Sequence, residues 1–304
     1  MKYIKINNEI NASEISLGCM RINNLSKSDA AIHLNTALEE GINFFDHADV
    51  YDGGKSEEAF ADAIDMNPSI REKLIIQTKC GIRQGYYDFS KEHILESVEG
   101  SLKRLKTDYI DVLLLHRPDT LMEPEEVAEA FSKLHESGKV KYFGVSNQNP
   151  MQIQLLNKYL KNKIIINQLQ LSITNTGIID AGLNVNMKIA TSIDRDGSIL
   201  DFCRLNDITI QAWSPFQYGF MEGVFLDNDK FPELNNKINE LADMKKVTNT
   251  AIASAWILRH PAKIQPIVGT TNTNRLKDIC KASNIELTRQ EWYEIYRVAG
   301  NNIP

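Results

Sequence analysis

The sequence predicts an α/β chain folded as a (β/α)8 (TIM) barrel, with an N-terminal β-hairpin and extra C-terminal helices. Three observations predict it. Short apolar segments of strand length alternate with helical patterns, the rhythm of βαβ units around a parallel sheet. The turn after the first strand, Gly18-Cys19-Met20-Arg21, lacks the GxGxxG that an open doubly wound sheet places there. Ionisable side chains recur at the ends of consecutive strands, where a barrel keeps its chemistry.

The elements follow in order. Residues 2–11 alternate apolar and polar with Asn7-Asn8 at a turn, which reads as a hairpin. Strands are expected at 14–17, 42–45, 74–78, 110–115, 141–145, 164–167, 209–212 and 265–268. A helix over 28–40 ends at Gly41, a residue suited to the left-handed position past a helix end. The next, 56–66, follows the Gly53-Gly54 turn, and 90–105 has Ser90 as N-cap. Helix 125–137 ends at Gly138, and 150–160 opens with Pro150 in its first turn. Then come 198–205, a stretch over 232–259 that reads as two helices broken near 247–249, and 273–282 after the last strand. A final helix over 288–298 lies beyond the eighth unit. Segment 170–195 fits neither pattern and is too long for a simple loop. One domain over 1–304 is expected, with no linker or low-complexity tract.

Composition narrows the function classes. The chain is 42% hydrophobic and 24% charged, which is ordinary for a globular protein with a large core. A net charge of −6 and no basic stripe argue against nucleic acid as a partner, while a small anionic ligand needs only a local patch. Cys19, Cys80, Cys203 and Cys280 form no CxxC, so neither a zinc site nor a disulfide framework is expected. That suits a reducing compartment, and the N-terminal MKYIKINNEI has no signal-peptide h-region, so the cytoplasm is expected. No apolar run reaches membrane-spanning length.

The chemistry gathers after the second, third and fourth strands. Asp46 and Tyr51 follow one, in GINFFDHADVY; Lys79 follows the next, in IIQTKC; His116 follows the third, in DVLLLH. Each alone is ordinary: a strand-end lysine is usually solvated, a lone histidine usually structural. Four at consecutive strand ends face one barrel mouth. A phenol has a pKa of about 10, and a neighbouring ammonium favours the phenolate and is expected to lower that value. A carboxylate fixes the ammonium, and an imidazole can hold a substrate oxygen. The set amounts to a general acid plus an oxygen-binding donor, suited to reducing a carbonyl by hydride.

Over nearly its whole length the chain resembles the aldo-keto reductase superfamily. The matching stretches are GINFFDHADVYDGGKSEE, IIQTKCGI, DYIDVLLLHRPD, GKVKYFGVSNQ, INQLQLSI, QAWSPFQYG and PIVGTTNTNRL. AWSPF and the C-terminal LTRQEWYEIYRVAG place it nearest the bacterial YdhF-like oxidoreductases. The resemblance implies a tetrad of Asp46, Tyr51, Lys79 and His116, with Tyr51 donating the proton. It implies carboxamide contacts to the nicotinamide from Ser146, Asn147 and Gln168, and stacking on Trp213, where many members carry tyrosine. Ser214, Pro215, Phe216 and Gly219 fall on the segment that covers the cofactor. Gly269, Thr270, Thr271, Asn272 and Arg275 fall on the adenosine-phosphate segment, at a helix start whose free N–H groups attract an anion. Many members have lysine where Gly269 stands and asparagine where Ile279 stands; Arg275 favours NADP, with NAD the alternative. Met20 and Arg21 are candidates for cofactor or substrate contact, and Gln84, Tyr86, Tyr87 and Tyr218 for the substrate pocket.

The expected activity is reduction of a small aldehyde or ketone by NADPH in a monomer or small homo-oligomer. Two alternatives stand beside it. One is a cofactor-holding module like the potassium-channel β subunits, which share this fold. The other is a barrel hydrolase using Asp46, His47, Asp49 and His116 as metal ligands.

Overall fold

Eight parallel strands close into a barrel: β1 (Ser16–Gly18), β2 (Phe44–Asp46), β3 (Ile75–Cys80), β4 (Ile110–Leu115), β5 (Val140–Ser146), β6 (Ile164–Gln170), β7 (Thr209–Trp213) and β8 (Gln265–Val268). Each pairs with its successor, and β8 pairs with β1 through Ile267 opposite Ser16. The computed structural model describes residues 1–303. Helices α1 (Lys27–Glu39), α2 (Lys55–Ala63), α3 (Lys91–Leu105), α4 (Pro124–Glu136), α5 (Pro150–Tyr159), α6 (Ile199–Leu205), α7 (Asn249–Leu258) and α8 (Thr273–Cys280) follow the successive strands. An added helix, α9 (Arg289–Val298), comes last. The (β/α)8 class, the hairpin and the C-terminal addition are therefore as the sequence predicts.

Local chemistry explains most boundaries. Gly41 and Gly138 close their helices with φ of 87° and 74°. The Ser90 side chain accepts from the His93 amide as N-cap of α3. Asn149 and Gln152 form a capping box on either side of Pro150. The break between Pro232–Lys245 and α7 passes through Lys246 at φ 55° and then the N-cap Thr248.

Strand period decides what reaches the interior. On β2, Phe44 joins the cluster inside the barrel and Phe45 the cluster beneath the helices, so Asp46 points in again. The same alternation puts Val112 and Leu114 inside and Leu113 and Leu115 outside on β4. The N-terminal hairpin, Tyr3–Ile6 against Ile10–Ser13, turns through Asn7 and Asn8 at φ 50° and 58°. Its Ile6, Ile10 and Ala12 are buried against Phe44, Val112, Leu114 and Ile166, so it plugs the end opposite the strand carboxyl termini. Outside, Phe131 of α4 stacks on Phe143 of β5 with ring centroids 3.9 Å apart. Trp256 and Trp292 stack at 4.7 Å and each indole donates to the other's carbonyl, at 3.1 and 2.9 Å, pinning α9 to α7.

Gly144 shows how tight the lining is. A Cβ built there would lie 2.4 Å from Leu114 Cδ2 and 2.9 Å from the Ile166 carbonyl oxygen. Gly144→Ala is therefore expected to destabilise by about 1–3 kcal/mol. A lower urea midpoint at an unchanged m-value would show it.

Several elements differ from the sequence expectation. The second strand spans Phe44–Asp46 rather than 42–45, because Asn43 is stitched to the hairpin: its Oδ1 accepts from Ser13 N at 2.7 Å and its Nδ2 donates to the Asn11 carbonyl at 2.9 Å. The segment 170–195 contains a helix, Gly177–Leu183, and a 3-10 turn, Ala190–Ser192. Two small hairpins and the short helix Pro68–Arg71 were not expected.

Candidate active site

The strands' carboxyl ends open into a cavity of about 850 Å³. Asp46, Tyr51 and His116 line it, and Lys79 lies directly beneath Tyr51, completely buried. Lys79 Nζ donates to Asp46 Oδ2 at 2.8 Å, to the His47 carbonyl at 2.7 Å and to the Tyr51 hydroxyl at 3.1 Å. The Tyr51 and His116 rings meet edge to face at 5.9 Å. The four strand-end residues are thus one contiguous group.

Asp46 is held from below as well. Its Oδ1 accepts from Gln77 Nε2 at 2.6 Å and Gln168 Nε2 at 3.0 Å. Both amides also donate to Gln211 Oε1, Gln211 donates to Gln265, and Gln265 donates to the Ser13 carbonyl at 2.7 Å. This chain of side-chain amides runs down the barrel interior to the hairpin.

The electrostatics follow from burial and close charge. Burial pushes the Tyr51 hydroxyl up, and the Lys79 ammonium pulls it down; burial wins, so the phenol sits above its ordinary value. This corrects the expectation of a lowered pKa. Burial alone would lower Lys79, but Asp46 and Tyr51 outweigh it and raise it, so the ammonium stays charged. Burial, then Lys79 and Arg117, hold His116 well below the usual imidazole range, which leaves it neutral near pH 7.

The other sequence candidates divide. Met20, Arg21, Ser146, Asn147, Gln168, Trp213, Ser214, Pro215, Phe216, Gly269, Thr270, Asn272 and Arg275 line the same cavity. Gly219 and Thr271 do not, nor do Gln84, Tyr86, Tyr87 and Tyr218. Tyr86 and Tyr87 form a strand of the hairpin after β3, exposed, while the Tyr218 hydroxyl accepts from Lys230. Asn147 and Ser214 adopt φ of 57° and 51°, left-handed backbone uncommon outside glycine. The Trp213 indole donates to Asn147 Oδ1 at 3.1 Å, and Asn147 donates to Ser146 Oγ at 2.7 Å, which locks the three together. Arg21 donates to the Gly269 carbonyl through Nε at 3.2 Å, joining the loops after β1 and β8.

Sequence reading missed Arg117, beside His116 in the cavity wall, and the glutamines 77, 211 and 265. The sequence marks the glutamines only faintly: Gln211 stands between Ile210 and Ala212 in β7, while Gln77 is followed by Thr78 and Lys79 in β3 and Gln265 opens β8. The candidate hydrolase ligands do not assemble. His47 packs edge-on against Phe60 at 4.5 Å, and neither it nor Asp49 lines the cavity. Among the described residues no three His, Cys, Asp or Glu side chains stand close enough to share an ion. No helix among them is long and apolar enough to cross a membrane.

The model of the Aldo/keto reductase family matches residues 14–299. The chain belongs to this family. As an aldo/keto reductase it is an oxidoreductase, and the resemblance read from its motifs holds. It is 36% identical to the uncharacterized oxidoreductase YcsN of Bacillus subtilis, over all of both chains. It is 33% identical to oxidoreductase YdhF of Escherichia coli, over 92% of this chain and 91% of that one. Among solved structures, the aldo-keto reductase of Bombyx mori in complex with NADP superposes with a TM-score of 0.74 at 21% identity, over 97% of this chain and 92% of the other. This aldo/keto reductase shares that protein's barrel fold.

Proposed function

We propose that this chain reduces an aldehyde or ketone to the alcohol at the expense of NADPH, with Tyr51 as proton donor. The observation that carries the reading is the hydrogen-bonded line Asp46–Lys79–Tyr51, at 2.8 and 3.1 Å, ending at a cavity wall beside a neutral His116.

The residues fit a nicotinamide dinucleotide. With Gln168 Nε2 committed to Asp46 and Gln211, its Oε1 is the atom left for a carboxamide N–H. Trp213 offers an indole face fixed by Asn147. At the other end, the start of α8 and the free guanidinium of Arg275 offer donors to a phosphate. The bound nucleotide would supply the hydride. Tyr51 meets the carbonyl oxygen as a neutral phenol, held protonated by burial. As charge develops on the phenol oxygen, the Lys79 ammonium at 3.1 Å stabilises it, and Asp46 keeps that ammonium in place. His116, uncharged, orients the same oxygen by a hydrogen bond.

The nucleotide preference is testable. Arg275→Leu is expected to weaken NADPH binding by about tenfold or more, the value of a charge-assisted bond. NADH binding should stay nearly unchanged, and titration of nucleotide fluorescence measures both. Equal loss for the two nucleotides would remove Arg275 from the 2′-phosphate. NADPH consumption with a reactive aldehyde tests the reading as a whole.

A further inference from the structure

Arg117 is a cation that the reductase mechanism leaves unused. It follows His116 directly and lines the same cavity. Its guanidinium carbon lies 5.5 Å from the Trp213 ring centroid and 5.8 Å from that of Phe220, which is itself exposed. The two rings meet edge to face at 6.1 Å, so the guanidinium rests in an aromatic corner of the cavity. Among the described residues Arg117 takes part in none of the ion pairs, which run in sequence from Arg71–Asp111 to Lys281–Asp278. Nor does its guanidinium donate a hydrogen bond among them.

The other charges of the cavity are spoken for. Asp46 holds Lys79, Asp227 accepts from Asn249, and Arg21 holds the Gly269 carbonyl. Arg275 stands at the start of α8, the end assigned to phosphate. At the reacting end one guanidinium remains with its donors unfilled. It sits over two aromatic rings, next in the chain to the imidazole that would hold a carbonyl oxygen. A planar carboxylate matches that fork in two parallel hydrogen bonds, which a hydroxyl or an amide does not reproduce. The aromatic corner suits a flat or apolar spacer between the two groups.

Resting on the reductase reading, we infer that the substrates are aldehydes or ketones that carry a carboxylate, bound by Arg117 while the carbonyl meets Tyr51 and His116. Arg117 is then the specificity residue of the site.

The test compares 4-carboxybenzaldehyde with its uncharged isostere 4-formylbenzamide at saturating NADPH. In the wild-type enzyme, kcat/KM should favour the carboxylate by about tenfold or more. The preference should lie mainly in KM and shrink with added salt. In Arg117→Leu the ratio should fall to near one; Arg117→Lys, which keeps the charge and loses the fork, should retain part of it. A wild-type ratio near one, or a ratio that survives in Arg117→Leu, would overturn the inference. Calorimetric titration of 4-(hydroxymethyl)benzoate and 4-(hydroxymethyl)benzamide onto the NADP complex reads the same preference without turnover. Should neither aldehyde be reduced, the reductase reading fails, and the two alcohols still decide the inference: tighter binding of the carboxylate, lost in Arg117→Leu, supports it, and equal binding sinks it.

Discussion

Replacing Tyr51 with phenylalanine is expected to lower kcat for aldehyde reduction by roughly two to four orders of magnitude, the usual contribution of a positioned general acid. The ring remains to fill the wall and to meet His116 edge to face, so the cavity keeps its shape. Nucleotide affinity should hardly change, which separates loss of chemistry from loss of binding. The pH profile carries the second half of the prediction. The acid must be protonated before transfer, and burial holds its pKa above the ordinary phenol value. The reduction rate should therefore be level across about pH 6–9 and fall only near or above about pH 10. A fall through neutrality would mean that Lys79 outweighs burial after all. Turnover that survives Tyr51→Phe would defeat the mechanism.

The second large effect is expected at Lys79. The side chain is wholly buried and its ammonium serves three oxygens. Lys79→Met leaves the Asp46 carboxylate inside the barrel without its cation. Breaking a buried pair from one side costs about 3–5 kcal/mol, because an uncompensated charge stays behind. Lys79→Met should therefore lose both activity and several kcal/mol of stability, read by urea unfolding. Adding Asp46→Asn removes the stranded charge, so the double variant should unfold at higher urea than Lys79→Met alone while remaining inactive. If the double variant is no more stable than the single one, the loss comes from packing rather than charge.

Much of this was legible in the sequence, and the reason differs from place to place. β4 and β8 fall on the residues expected, because both are short, mostly apolar runs bounded by turn chemistry. That Asp46, Tyr51, Lys79 and His116 come together was legible because four different chemistries stood at successive strand ends. Boundaries failed where a side chain bonded across the fold, as Asn43 does to the hairpin. The rim hairpin of Tyr86 and Tyr87 failed because aromatic residues in a loop look alike whether they face a cavity or solvent. The direction of the Tyr51 shift failed for another reason. A neighbouring ammonium can be read from spacing, but the depth of burial that opposes it cannot.

Arg117 was overlooked because an arginine beside a histidine carries no mark of what it faces. The glutamines were overlooked because one polar residue in a strand reads as noise. Residues 168, 211 and 265 stand in register on the neighbouring strands β6, β7 and β8, and only closing the barrel brings residue 77 of β3 against them.

That row of amides has a sense of direction. The Ser13 carbonyl can only accept, so Gln265 must turn its nitrogen downward and its oxygen up. Gln211 must then send its own nitrogen down toward Gln265 and its oxygen up, and Gln77 and Gln168 meet that oxygen with nitrogen. Their remaining hydrogens are what the Asp46 carboxylate receives. A main-chain oxygen in the plug at one pole of the barrel thus dictates which face the amides show the carboxylate near the other, with no charge spent along the way.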